Sequence, residues 1–522
     1  MRRVPPYQFA VPAAVVAAVL LGSLLSGTDY LAYYLPAAQY LFDFHQFPPT
    51  LLPSRVDGPF AYPPAEFLLL APTFLAPSFQ ALLIKLIAAL KCALLFFLIH
   101  RLASHSARPQ IAAWIALVPT LVMYLFIYNT DINIVLATLA TVLLHRSSRY
   151  RWTAVALVTY AVMTKYTAWP LYLLGIGAFA ITRRKELPAL LVPILFILPF
   201  LLKNQLYYGN PLFPMFHSFF SPLAPPYDDL VTEWTTHAHG WRYARNLLRG
   251  AAGALIFSVF LYHGPRRRPL LALVGAYTLL WAIKMNPNMS GDATRFLLPM
   301  SVIVLAALAQ DETVPWRRLQ AAVIAQLGLF ALLGHDPQTA AYAIVASAVV
   351  LTATSRHAAL ALIAAFLLIG TARLARKMSL NPQDLGYSPY AREIETLESI
   401  ARKGQVVFTD LHILPLDVSG NPRIIVDRSI LTSPAFLDLV YRRPPGHGPD
   451  FLLVEPRTFK HYHFDPECYA PGATIRGRTL YERRCSSHAK TLPHPNAASN
   501  ASNGTTGVRK RNVDAGPAES TR

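Results

Sequence analysis

Carboxylates and cations recur where long apolar runs of this chain begin or end. Asp29 closes the first run in Gly27-Thr28-Asp29-Tyr30, and an aromatic stretch with Tyr33 and Tyr34 follows. Phe60-Ala61-Tyr62-Pro63-Pro64-Ala65-Glu66 leads into the next run, which holds Lys85 and Lys91. Asp131 opens a run after Tyr128-Asn129-Thr130, and Lys165 in Met163-Thr164-Lys165-Tyr166 divides two others. Lys203 and Asn204 close a run before Tyr207-Tyr208-Gly209-Asn210-Pro211, and Asp292 and Arg295 lie in the stretch from Gly291 to Pro299. A Lys or Arg held at the centre of a bilayer costs roughly 2.5–3.5 kcal/mol, so it snorkels outward or pairs with an anion. Taken singly, each cation reads as snorkelling, and Thr28 or Asp29 as the N-cap of the helix that follows. Taken together, acids and cations at the same ends of segments that loops can join point to a shared charged pocket. Lys91, deeper in its run, reads as an interhelical partner.

The elements carrying these residues are built for lipid. Of 522 residues, 54% are hydrophobic and 14% charged, with a mean hydropathy of +0.35. A soluble globular domain is less apolar and carries more charge. The 47 Lys and Arg against 28 Asp and Glu give a net charge of +19. Those basic residues sit in short clusters between apolar runs, which is the pattern of a polytopic membrane protein and excludes a nucleic-acid binder, a soluble Rossmann enzyme and a β-barrel. The 43 prolines predict broken helices and ordered loops at the membrane surface.

We expect about thirteen spans. The first runs from about Ala10 to Leu25, and the others lie near 80–100, 111–128, 131–145, 153–165, 168–182, 187–202, 245–263, 269–284, 294–310, 319–334, 339–354 and 358–373. The stretch 153–165 is short for ~30 Å of hydrocarbon and reads as a broken or re-entrant helix. Arg2/Arg3, Arg101/Arg108, Arg146/Arg149/Arg151, Arg183/Arg184/Lys185, Arg266 to Arg268, Arg317/Arg318 and Arg356 fill every second gap. By the positive-inside rule those gaps are cytoplasmic. The N-terminus is then cytoplasmic, and the opposite gaps, with the first external loop at 27–79, lie outside a plasma or inner membrane.

Residues 1–376 thus form the membrane domain. Residues 377–490 have the composition of a small extracytoplasmic α/β domain, with strands expected at 405–410, 423–427 and 450–456 and helices at 390–403 and 433–443. Cys468 and Cys485 both fall in it, in an oxidising compartment, and are expected to form a disulfide, whereas Cys92 lies within a span. The tail 491–522 is expected to be disordered.

The Asp29 loop, Tyr62-Pro63-Pro64, Thr164-Lys165-Tyr166-Thr167, Lys203-Asn204 with Tyr208-Gly209-Asn210-Pro211-Leu212-Phe213-Pro214, and Arg295 to Pro299 resemble motifs of the GT-C superfamily of integral-membrane glycosyltransferases. Its members include protein O-mannosyltransferases and the aminoarabinose and arabinofuranosyl transferases of bacterial envelopes. One departure is that Tyr30 follows Asp29 where many members carry a second acid. The resemblance implies transfer of a sugar from a polyprenyl phosphate to an acceptor on the outer face, with inversion. The lipid phosphate is a good leaving group, so the site needs fixed positive charge more than a general acid. Lys165 and Arg295 are the candidates for that charge, with Lys203 and Lys85 in reserve. Asp29 would be the general base. Asp131 and Asp292 would orient hydroxyls. Tyr33, Tyr62 and Tyr166, with Asn204, would flank the sugar and the first isoprene units.

The partners implied are the polyprenyl-phosphate-sugar donor, an acceptor that is a glycan, a lipid or a protein, and membrane lipids, with no nucleic acid. No cofactor is read from the sequence, a divalent cation stays open, and no metal-ligand set is read. His237/His239 and His461/His463 lack a third ligand nearby. No GxGxxG or GxxxxGK[ST] loop is present, which fits a lipid-linked donor better than a nucleotide sugar. A transporter or lipid-linked glycan flippase is the competing class, though no internal repeat supports it. A glycan ligase or polymerase would keep the same fold.

Overall fold

The computed structural model describes residues 34, 38, 41–42, 63–76, 79–119, 121, 130–208, 210–212, 241–284, 293–334, 337–352, 399–400, 405–409, 423–426, 448–454, 466–475 and 477–485. The described chain is mostly helical. A short helix, α1 (Ala65–Leu70), precedes α2 (Gln80–Ser104), whose 25 residues span about 37 Å at 1.5 Å each. Then come α3 (Pro109–Ala113), α4 (Asp131–Arg146), α5 (Arg151–Val162), α6 (Trp169–Thr182), α7 (Leu187–Tyr208) and α8 (Trp241–Gly253). The last are α9 (Arg267–Lys284), α10 (Ala293–Leu308), α11 (Trp316–Gly334) and α12 (Pro337–Thr352). Leu82–Ser104 and Arg184–Leu206 are each long and apolar enough to cross a membrane. Ile181, Leu195, Leu206, Leu332 and Ile344 are more than two-thirds exposed on helix surfaces, as suits a lipid solvent rather than water.

Two expected spans are not continuous helices. The run at 111–128 is α-helical to Ala113, tightens to a 3-10 turn over Trp114–Leu117, becomes extended at Val118 and is helical again at Pro119 and Leu121. Val118 precedes Pro119, whose ring excludes the α conformation from the residue before it. The run at 245–263 breaks at Leu255, which is left-handed at φ 55° between α8 and the 3-10 turn Ile256–Leu261. The short segment at 153–165 is α5, 12 residues long, followed by a turn at 163–165. By contrast α7 continues past Pro193 and Pro199 to Tyr208, beyond the expected end at 202.

Arg146 ties the helices together at one end of the bundle. Its guanidinium donates to Leu102 O (3.1 Å), His105 O (3.1 Å), Ser106 Oγ (2.9 Å) and Ala306 O (2.9 Å). Leu102 and Ala306 lie in the last turns of α2 and α10, where carbonyls lack partners within the helix. Arg108 adds bonds to Val314 O and Glu312 O, and Arg151 pairs with Glu186 (2.6 Å). The C-terminal ends of α2, α4 and α10 therefore share this arginine-rich end, so these three helices run the same way.

Beyond the membrane helices, five strands form one sheet in the order β2-β1-β3-β5-β4. β1 (Val406–Thr409) pairs in parallel with β2 (Arg423–Val426) and with β3 (Phe451–Val454). β3 is buried throughout, as a strand covered on both faces should be. The hairpin of β4 (Tyr469–Ile475) and β5 (Arg478–Arg483) was not expected; Gly477, at φ 82°, makes its tight turn. Cys468 and Cys485 form a disulfide at its open end, with Cα atoms 4.9 Å apart. The expected helix at 433–443 lies outside the described residues, and of 390–403 only 399–400 are described, as helix.

Asp311 closes the turn between α10 and α11 by accepting from His263 N (2.8 Å), Thr313 N (3.0 Å) and Thr313 Oγ1 (2.5 Å). Burial alone would push its pKa up. The hydrogen bonds from Thr313, His263 and Gly264 outweigh burial and hold it below the ordinary 3.8. A carboxylate depressed in this way stabilises the folded state above its unfolded pKa and loses that contribution as pH falls through the folded value. Asp311→Asn should therefore lower the Tm at neutral pH, by about 1–3 kcal/mol of stability. Thermal unfolding across pH should show the gap to wild type closing below pH 3.8; a gap of constant size would contradict the charged cap.

Candidate active site

At the end of the bundle opposite the arginines, Asp131 accepts two cations. It stands in the first turn of α4, where a carboxylate also suits the helix dipole, and its side chain is 4% exposed. Lys165 Nζ lies 2.9 Å from its Oδ1, and Arg295 Nε bonds its Oδ2. Lys165 is delivered by the turn that ends α5. Thr164 N and Lys165 N both reach back to Ala161 O, and Trp169 Nε1 caps Val162 O at 2.8 Å. Arg295 enters from the first turn of α10, its guanidinium 5.5 Å from the Phe296 ring. Phe296 stacks on Trp281 of α9 at 4.3 Å, and Tyr277 meets Trp281 edge-on. Asp131, Arg295, these three aromatics and Thr167 line a narrow recess. The Thr167 hydroxyl is buried there without a partner among the described residues.

A second buried acid holds the preceding segment in place. Glu66 of α1 is fully buried and accepts from three helices: Lys91 of α2 (2.6 Å), Asn133 of α4 (3.0 Å) and Tyr160 of α5 (2.6 Å). Ala65 N donates to Met163 O (2.8 Å), and Tyr34 OH to Thr164 O (3.3 Å). Both described parts of the first loop therefore dock on the turn that carries Lys165. Lys91 is the interhelical partner expected of it. Glu66, Asn133, Thr167 and Trp281 were missed; Glu66 enters an apolar run that holds both Lys85 and Lys91, and packing selects Lys91 as its partner.

Lys85 is the unusual cation. It is 1% exposed, and its Nζ has no hydrogen-bond partner among the described residues. Arg146 reaches Leu102 and His105, and Asn133 shares Glu66 with Lys91. A residue of α4 is thus level with one about 42 positions earlier in α2, and Asp131 with about position 89. Lys85 stands roughly one turn, ~6 Å, further toward the same end.

Lys203 and Asn204 belong to α7, which packs on α5 and α6. Lys203 Nζ lies 4.9 Å over the Phe200 ring, and buried Asn204 reaches Pro211 O at 3.4 Å. Tyr166 is described only in its backbone, in the 3-10 turn Tyr166–Ala168. Asp29, Tyr33, Tyr62 and Asp292 lie outside the described residues. Among the described residues no cluster of three metal-ligating side chains occurs.

The whole chain is similar to the crystal structure of ArnT from Cupriavidus metallidurans in the apo state, with a TM-score of 0.57 at 13% identity over 91% of this chain and 97% of that one. It is similar as well to ArnT from the same organism bound to undecaprenyl phosphate, with a TM-score of 0.55 at 14% identity over 93% of this chain and 99% of that one. The chain has the GT-C fold. No family model matches it, and no curated protein does.

The Asp131 pairs clamp α4, the α5 turn and α10 together. Breaking a buried pair by removing one partner costs about 3–5 kcal/mol. Asp131→Asn should therefore lower the Tm of the purified protein by several degrees, and adding Lys165→Met should recover part of the loss. An Asp131→Asn protein that unfolds at the wild-type temperature would show that the clamp does not hold these helices.

Proposed function

We propose that this protein is an inverting glycosyltransferase that moves a sugar from a polyprenyl phosphate to an acceptor hydroxyl on the outer face of the membrane. The reading places the arginine-rich end in the cytoplasm and the Asp131 end outside, with about thirteen spans. Residues 377–490 would then form an outer α/β domain beside the site, where they could bind the acceptor.

The observation that carries the reading is Lys85. An ammonium group removed from water without an acceptor is costly, and a lipid phosphate is an anion able to reach it at the membrane edge. Asp131 neutralises part of the charge of Lys165 and Arg295, so Lys85 moves from reserve to first candidate for the phosphate. The fold supports the donor class, because ArnT of this fold binds undecaprenyl phosphate.

In the proposed step the acceptor oxygen attacks the anomeric carbon while the bond from that carbon to the phosphate oxygen breaks. The electron pair leaves on the phosphate, where Lys85 meets the growing charge and Lys165 and Arg295 add to the field. The hydroxyl proton passes late in the displacement to Asp29. Asp29 stands five residues before Tyr34, within about 18 Å of chain reach from a residue bonded to the Lys165 turn. The Asp131–Arg295 recess with its aromatic wall and the Thr167 hydroxyl would receive the sugar. Asp292, Tyr33, Tyr62, Tyr166 and Asn204 complete the proposed shell.

The test uses full-length protein in proteoliposomes with a polyprenyl-phosphate sugar as donor, and follows release of polyprenyl phosphate. Lys85→Met should lower kcat/KM by about 10²–10³, with partial recovery in Lys85→Arg. Asp29→Asn should abolish turnover yet retain polyprenyl phosphate binding. Normal turnover in either Lys85→Met or Asp29→Asn would overturn the role given to that residue.

A further inference from the structure

Two cationic turns meet at the arginine-rich end of the bundle, away from every group used in the proposed reaction. Arg183-Arg184-Lys185 lies between α6 and α7, and Arg266-Arg267-Arg268 leads into α9. Helices α6 and α9 pack on each other, and both turns touch the last turn of α4. His145 of α4 meets Phe179 of α6 edge-on at 5.8 Å. The Arg266 guanidinium donates to His145 Nε2 at 2.7 Å, and Arg183 Nη2 donates to Arg146 O at 3.4 Å. Arg146, Arg183 and Arg266 therefore crowd around one imidazole. A guanidinium has no acceptor, so Nε2 accepts and the imidazole adds no charge of its own in this contact.

Three acids share this end, and they do not match the cations in number. Across the turns 101–108, 145–151, 183–186, 263–268 and 311–318, all of them described, 13 Lys and Arg stand against Glu186, Asp311 and Glu312. Glu186 is close to Arg183, but its oxygens accept from Arg151 (2.6 and 3.1 Å) and Ser148 (2.6 Å). Asp311 accepts from His263 N and from Thr313, and Glu312 follows it on the surface beside Arg108. Arg267 and Arg268 also open α9, where the helix dipole disfavours cations. The positive-inside rule explains why such turns are basic, but not why two triplets converge on one dipeptide. Arg184, Lys185 and the three arginines before and in α9 are exposed. Apolar surface adjoins them: Ile181, two residues before Arg183, is 83% exposed, and Leu173 of α6 and Leu279 of α9 are exposed as well.

We infer that the Arg183 and Arg266 turns hold the phosphate of an anionic membrane phospholipid whose acyl chains run along α6 and α9. A guanidinium presents paired donors that match phosphate oxygens. Arg183 and Arg266 each spend one of their five N–H donors on α4, which fixes the side chains and leaves donors for a ligand. A phospholipid brings its anion to the membrane edge with its chains already in the bilayer, where basic pockets between helices receive it. The site goes beyond the proposed transfer reaction. His145 lies 14 residues, about 21 Å, along α4 from Asp131.

Native mass spectrometry of the full chain counts the lipids retained. The probes are phosphatidylglycerol, phosphatidylcholine as the zwitterionic control, undecaprenyl phosphate and inorganic phosphate. Wild type should retain phosphatidylglycerol at least tenfold better than phosphatidylcholine. Arg183→Gln combined with Arg266→Gln should lower that ratio at least fivefold, while one undecaprenyl phosphate stays bound at the opposite end. Both of these arginines contact α4, so the exposed pair Arg267→Gln and Arg268→Gln serves if that variant fails to fold, with a loss of at least threefold. Equal retention of the two phospholipids by wild type, or a wild-type ratio in the folded double variant, would overturn the inference. Displacement of phosphatidylglycerol by millimolar inorganic phosphate would do so too, by showing a site for a free anion. Loss of every undecaprenyl phosphate together with phosphatidylglycerol would also overturn it, by showing one site in place of two.

Discussion

A charge taken out of water has to find an opposite charge or a set of hydrogen bonds, and a bundle surrounded by lipid has little water to offer. Two buried carboxylates meet that requirement here. Glu66 binds α1 to α2, α4 and α5, and Asp131 binds α4 to the α5 turn and to α10. Each is the meeting point of three or more segments. Together they fix the segment that carries Glu66 against the turn that carries Lys165.

The two ends of the bundle apply the same rule differently. At the arginine-rich end the cations are spent on carbonyls: Arg146 alone satisfies backbone oxygens near the ends of α2 and α10. That arrangement is complete without a ligand. At the opposite end the cations outnumber the described acids, and Lys85 and Arg245 are left with unanswered donors. The difference argues that the Asp131 end receives the donor anion. Aromatic rings accompany cations at both ends, at Phe97 beside Arg101 and Tyr150 beside Arg149 as well as at Phe296 beside Arg295.

Much of this was legible in the residues. Asp131, Lys165 and Arg295 stand out because charge in an apolar run is expensive, and the structure brings all three together. The break after Val118 is local, set by Pro119, and needed no tertiary information. The partner of Lys91 was not legible, because Glu66 lies 25 residues away and only packing selects it from other acids. Lys85 looked the same as Lys203 in sequence, and only burial without a partner separates them. Leu255 gives no signal for its left-handed backbone, and the β4–β5 hairpin hid behind a single Gly477. Asp29, the proposed base, is outside the described residues.

The most direct measurement is a cryo-EM structure of the full chain in a lipid nanodisc with polyprenyl phosphate bound. The phosphate should lie within about 2.7–2.9 Å of the Lys85 ammonium. It should also sit at the end of α4 that carries Asp131. A phosphate seated elsewhere, with Lys85 still lacking an acceptor, would contradict the assignment of this end of the bundle as the donor site.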